Sequence, residues 1–123
     1  MTEKIKDVEK FELELLNLIN SFLKSVGGKG PKQTEVRMMG DTIVYILRGI
    51  LTKREKTLML NGEGRKLVLD SRRSFMEMVK ERRDREFEQF LGCKIVESYE
   101  SWSLEDNTAI AVLLLDRTLF KKI

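Results

Sequence analysis

The chemistry this sequence can offer rests on its cationic side chains. Lys29 and Lys32 sit in the loop-like run Gly27-Gly28-Lys29-Gly30-Pro31-Lys32. Consecutive backbone amides beside two ammonium groups can form a nest for an anion. The run lacks the Gly-Lys-Ser or Gly-Lys-Thr that opens a helix in phosphate-binding loops. Glycine and proline also serve simply to stop a helix and turn the chain into a strand, which is the more routine use. Arg72, Arg73 and Arg83 lie in a long helical pattern. At about 100° per residue, Arg72 and Arg83 project within the apolar stripe of Val68, Phe75, Val79 and Phe90, with Glu86 beside them. An arginine aimed into an apolar face needs a partner, because an unpaired buried charge is very costly. Glu86, an acid on another strand, or a bound anion can be that partner; an internal ion pair or a snorkelling side chain outranks a ligand. These five residues are the candidates for binding an anion or a partner.

Nothing in the chain proposes ordinary catalysis. There is no histidine among the 123 residues, which removes the commonest general base and the commonest transition-metal ligand. Cys93 is the single cysteine, so no internal disulfide or multi-cysteine zinc site can form, and a reducing, cytoplasmic setting is the simplest. It reads as a small buried hydrophobe. Carboxylate, lysine or tyrosine chemistry has no suggestive spacing, so no catalytic residue, metal or cofactor is assigned. Trp102, Tyr99 and Tyr45 are the aromatics with polar tips, and Trp102 near a loop can either anchor a partner or close the edge of a core.

The elements that must position these residues follow from periodicity. Ile5, Val8, Phe11, Leu15, Leu18, Ile19, Phe22 and Val26 recur at helical steps and predict a helix over 3–26, stopped by Gly27 and Gly28. Leu13, Leu16 and Leu23 widen its apolar face. A hairpin follows over 34–48, with Gly40-Asp41 as a turn of type II′ and an almost wholly apolar second strand, Thr42 to Leu47. Thr52-Lys53-Arg54-Glu55 is a capping-box pattern that opens a short helix over 53–60, ended by Asn61-Gly62. A long helix then fits 65–91, closed by Gly92, with an apolar stripe of Val68, Phe75, Met76, Val79, Phe87 and Phe90. Strands over 94–102 and 108–115 form a second hairpin, and 117–123 is a short tail.

The order α-β-β-α-α-β-β in a single domain, 1–123, predicts an α+β fold with a four-stranded, mostly antiparallel sheet built from two hairpins. The second and fourth strands are apolar on both sides of the pleat, so they belong in the middle of the sheet with both faces covered. A twofold copy of the chain is the expected cover for the second face, the N-terminal helix being the alternative. Charged residues are 35% of the chain and the net charge is +3, a globular balance with a solvated surface. The charge is uneven: residues 27–75 hold eleven bases against five acids, and residues 76–116 hold five bases against ten acids. Such a split makes a basic surface for an anionic partner, two complementary surfaces within a dimer, or ordinary solvated faces. The longest apolar run, Ala109 to Leu115, is far short of the ~20 residues a membrane-spanning helix needs. Acidic and basic residues scattered from Glu3 to Glu9 argue against a signal peptide.

Gly28-Lys29-Gly30-Pro31, Leu47-Arg48-Gly49, the run Leu51 to Leu58 and Leu67-Val68 followed by Arg72-Arg73-Ser74-Phe75 occur in an order that resembles the MpsC-like family of small bacterial domains, over about residues 10–116. The family pattern carries an arginine after Leu-Val, where this chain has Leu69. The resemblance implies a link to a sodium-translocating, membrane-potential-generating system associated with bicarbonate uptake. Taken with the twofold copy expected from the sheet, it implies a homodimeric, non-enzymatic accessory or regulatory module meeting a membrane transport protein at the inner face of the membrane. Two alternatives come from the residues themselves. One is nucleic-acid binding by the basic 53–73 segment, with Arg65, Lys66, Arg72 and Arg73; the modest net charge and acidic second half count against it. The other is sensing of a small anion by the lysines and arginines named above.

Overall fold

The computed structural model describes residues 2–120, with side chains from residue 7 onward. Helix α1 runs from Thr2 to Gly27, strands β1 (Gln33–Met39) and β2 (Thr42–Arg48) form the first hairpin, and helices α2 (Lys53–Leu58) and α3 (Gly62–Leu91) follow. Strands β3 (Ile95–Ser103) and β4 (Thr108–Leu115) complete the sheet. The sheet order is β1-β2-β4-β3 with every neighbouring pair antiparallel. The two apolar strands are therefore the central ones, and the fold is the α+β arrangement that the pattern of elements predicts.

Local chemistry sets most of the boundaries. α1 ends where Gly28 takes a left-handed φ of +77° and donates its amide to the Lys24 carbonyl. In the first hairpin Gly40 has φ +61° while Asp41 stays negative, the signs a type II′ turn requires. The capping box is present: the Thr52 hydroxyl accepts from the Glu55 amide at 3.1 Å, and the Glu55 carboxylate accepts from the Thr52 amide at 2.9 Å.

The junction between the short and the long helix differs most from the expectation. α2 stops at Leu58, and Asn61, expected to end it, instead opens α3: its side chain accepts from the Gly64 amide at 2.8 Å. α3 thus begins at Gly62, three residues ahead of the expected Arg65. The C-terminal segment doubles back, with the Leu119 amide on the Gly40 carbonyl and Phe120 against Phe11 of α1. Residues 121–123 of the expected tail lie outside the described residues.

Both long helices pack on the same face of the sheet. Leu15, Ile19 and Phe22 of α1 and Phe87 and Leu91 of α3 join Val36, Ile43, Tyr45, Ala111 and Leu113 in one buried cluster. The register puts these strand residues on one side of the pleat: Ile43 pairs with Leu113, Tyr45 with Ala111, and Val36 with Tyr45. The alternative in which the N-terminal helix covers the second face is therefore not what the chain does. That outer face carries Val44, Ile46, Ile110, Val112 and Leu114, none of which belongs to a buried cluster. Ile110 is 40% exposed and Tyr99, in the same row as Val44 and Val112, is 58% exposed.

The apolar stripe of α3 is buried only at its ends. Val68 and Phe87 are inside, but Phe75 is 38% exposed. The middle turns of this helix pass over a cavity rather than over packed side chains.

Candidate functional site

The cavity occupies about 310 Å³ between α1, α3 and the inner face of the sheet. Its floor is open because β4 places two alanines, Ala109 and Ala111, where its other inward positions carry Leu113 and Leu115. Phe22, Leu23 and Val26 of α1 form one wall, and Phe75 and Met76 of α3 form the opposite one. Trp102, paired with Ala109 across the sheet, closes the far edge. Its volume is at the lower end of the range for small-molecule sites, about 300–1,000 Å³, and its lining is mostly apolar with a few convergent polar groups, as such sites are.

Arg83 is the polar residue at depth. It is 1% exposed, and it donates to Glu100 of β3 through Nη1 and to Asp84 Oδ1 through Nε and Nη2 at 3.1 and 3.0 Å. Glu100 sits on an edge strand whose residue as a whole is open to solvent, yet its side chain, 22% exposed, folds inward to meet the guanidinium. Tyr45 completes the cluster. Burial, opposed by the nearby Arg83 guanidinium, pushes its phenol up to about 12, so it stays neutral. For Arg83, burial works against the charge, but the Tyr45 phenolate once it forms, with Glu100 and Asp84, outweighs it and holds the pKa above its ordinary value. The floor of the cavity is thus a satisfied, locked ionic network, and among the described residues no buried side-chain polar atom lacks a partner.

At the opposite end a second network shapes the rim. Arg72 grips Glu55 with two hydrogen bonds, at 2.8 and 2.7 Å, and donates at 2.7 Å to the Ile50 carbonyl. Burial raises the Glu55 carboxyl, but hydrogen bonds from Arg72 and Thr52 outweigh it and hold the pKa below the usual range. Lys29 reaches the adjacent carbonyl, Leu51, through Nζ at 3.3 Å. Successive carbonyls of one loop therefore bring Lys29 and Arg72 together, and the loop is pinned by the Leu51 amide donating to Asn107 at 2.7 Å.

Three of the five sequence candidates, Lys29, Arg72 and Arg83, line this single cavity, and Lys32 and Arg73 do not. The Lys32 amide bonds to the Arg48 carbonyl, and its stem packs where a side chain on Gly49 would lie, 2.7 Å away. The amides of Gly28 and Lys32 are both engaged within the chain, so the glycine loop acts as a helix stop and strand entry. Arg73 projects from the exposed side of α3. The partner of Arg83 is an acid on another strand, while Glu86, its proposed neighbour, pairs with Arg82 at 2.7 Å. Arg82 in turn ties α3 to α1, donating to Ser25 at 3.0 Å and lying over the Phe22 ring at 5.7 Å.

Sequence reasoning missed Glu100, Ala109 and Ala111. A β-bulge at Val96 shifts the pairing from Ile95–Leu115 to Glu97–Leu114, which turns Glu100 and Trp102 inward and Tyr99 outward. The paired alanines in an otherwise bulky strand were the available signal for a void. Cys93 is buried in the core, and burial raises its thiol pKa, as suits a small hydrophobe.

No helix among the described residues is long and apolar enough to cross a membrane. A curated relative, the uncharacterized protein YrhF of Bacillus subtilis (strain 168), is 27% identical over 107 residues, covering 86% of this chain and 88% of its own. No solved structure matches. Residues 7–117, which hold the whole sheet, the cavity and both ionic networks, match the family described as Na+-translocating membrane potential-generating system (MpsC), and the chain belongs to that family.

Proposed function

We propose that this chain is a non-enzymatic accessory module of a Na+-translocating, membrane-potential-generating system, acting as a homodimer at the cytoplasmic side of the membrane. The family supplies the system, and the observation that carries the module's form is the apolar outer face of the sheet. Two central strands that present Val44, Ile46, Ile110 and Val112 away from the helices are suited to a second protein layer.

The face is complementary to itself. Its rows run Arg37–Val44–Val112–Tyr99 and Glu35–Ile46–Ile110–Ser101. A twofold axis between two sheets, parallel to the strands, lays β1 over the partner's β3 and β2 over the partner's β4. Val44 then meets the partner's Val112, Ile46 meets the partner's Ile110, and the Arg37 guanidinium comes over the partner's Tyr99 ring. Aligned sheet packing accommodates this geometry, and each contact occurs twice as closed twofold symmetry requires.

Light scattering during size exclusion should give twice the chain mass of 14.4 kDa, and Val112→Lys should give the monomer with its circular dichroism intact. A wild-type monomer at tens of micromolar would remove the dimer. For the system itself, membrane vesicles from cells lacking the chain should develop a smaller Na+-dependent potential, reported by a voltage-sensitive dye. Purified chain should restore it when added to inverted vesicles and not to right-side-out ones. An unchanged potential would rule out the accessory role.

A further inference from the structure

The cavity lies on the helix-covered side of the sheet, away from the proposed dimer face, and one of its cations has no carboxylate partner. Its charged lining residues are Lys29, Arg72, Arg83, Glu55 and Glu100, and Asp84 stands beside Arg83. Arg83 is matched by Glu100 and Asp84, and Arg72 by Glu55. Among the described residues no carboxylate lies within ion-pair distance of Lys29, whose ammonium rests only on the Leu51 carbonyl. The unmatched positive charge is therefore at the rim, and the interior is apolar.

From this we infer that the cavity is a binding site for an amphipathic monoanion: a compact hydrocarbon or aromatic body with a single carboxylate or sulfonate head. The body fits between Phe22, Val26 and Trp102 over the two alanines. The head sits at the rim, where Lys29 provides its counter-charge and the outer edge of the Arg72 guanidinium adds a second positive field. The locked Arg83–Glu100 floor offers no free charge, so the ligand enters body first. An apolar body gains from leaving water, and a carboxylate gains more beside an ammonium that lacks a carboxylate of its own. A cationic head would meet Lys29 and Arg72 with like charge, so the site discriminates by sign.

The full-length chain titrated with the aromatic sulfonate 8-anilinonaphthalene-1-sulfonate should show saturable fluorescence enhancement with one site per chain, and decanoate should displace the dye. Decylamine, with a body of the same length, should compete at least about fivefold less well, a ratio typical of one partly exposed charge contact. Lys29→Met should weaken decanoate by a similar factor and leave 1-decanol unchanged. Ala109→Leu fills the floor and should abolish displaceable binding while holding the melting temperature at or above wild type. Val26→Trp fills the cavity from the α1 side and serves if the first variant fails to fold. Equal competition by decylamine and decanoate would overturn the inference, as would the absence of saturable binding. Dye binding that survives both filled variants and vanishes in Val112→Lys would also overturn it, since the dye would then sit on the outer face.

Discussion

Arg83 of α3 and Glu100 of β3, seventeen positions apart, meet beneath the cavity through a guanidinium that is only 1% exposed. The pair ties the long helix to an edge strand at a point where apolar packing is thin. Removing one partner leaves a charge in a place from which water is largely excluded, whereas removing both need not. Glu100→Ala is expected to cost about 1–3 kcal/mol, below the figure for a buried charge left alone because Asp84 still accepts from the guanidinium. The double variant Arg83→Met with Glu100→Leu should recover at least half of that loss. Urea unfolding midpoints at constant slope measure both quantities, and strictly additive losses would show that the two side chains do not act as a pair.

The corner between α2 and α3 depends on one glycine. A side chain on Gly64 would place its first carbon 1.8 Å from the Leu58 carbonyl oxygen, which is backbone and cannot swing aside. Gly64→Ala should therefore destabilise the chain by about 1–3 kcal/mol, the range for forced overpacking, even though alanine is the better helix former. Gly62→Ala, two residues earlier, meets only the end of the Arg65 side chain at 3.8 Å and should be neutral or stabilising. Thermal melts of the two variants give the contrast, and equal effects would contradict it.

These two sites mark what sequence could and could not disclose. Helix stops at Gly28 and Gly92, the turn at Gly40 and the Thr52–Glu55 box are local devices, written into a few neighbouring residues. The central position of β2 and β4 was also legible, because strands apolar on both sides belong away from the sheet edge. The start of α3 was not. Gly62 reads as the end of the short helix and Gly64 falls outside both expected helices, yet Gly64 is glycine because α2 passes against it, a tertiary demand that no window of neighbouring residues contains. For Arg83, the apolar stripe indicated burial and the need for an acid, but the bulge at Val96 decided which acid, by reversing the faces of β3. The cavity is a void left by small residues on one element and spacing between two others, so only Ala109 and Ala111 hinted at it.

Tyr45 gives the chain an alkaline limit. Its phenol pKa is about 12 in the folded chain, raised by burial above an ordinary value near 10. Between those values the unfolded chain releases the proton and the folded chain keeps it. Its stabilising contribution is therefore complete below about pH 10 and is lost as pH rises towards 12. Against Tyr45→Phe, which cannot titrate, the wild-type chain should lose as much as about 2–3 kcal/mol of relative stability over this interval. Paired urea titrations at pH 8 and pH 11 detect it. A difference that does not change with pH would mean that the phenol ionises without penalty in the fold.

Glu55 sets an acid limit by the opposite sign. Its carboxylate holds the first turn of α2 through the Thr52 amide and holds α3 through Arg72, so a single charge joins two helices to the rim loop. Because its folded pKa lies below the ordinary carboxylate range, its contribution is present above about pH 4.3 and fades as pH falls through the folded value. Glu55→Gln preserves an oxygen for the Thr52 amide but removes the charge facing Arg72. At pH 7 the variant should be less stable by about 1–2 kcal/mol, the scale of a partly exposed charged hydrogen bond. The deficit should shrink on acidification, until wild type and variant converge once the wild-type carboxyl is protonated. It should also appear locally. Amide hydrogen exchange in α2 and the Ile50–Leu51 loop should accelerate more than in β2 or β4, because the lost contact fastens the rim and not the centre of the sheet. Uniform acceleration across the chain would instead assign Glu55 to global stability and remove its role in holding Arg72 at the mouth of the cavity.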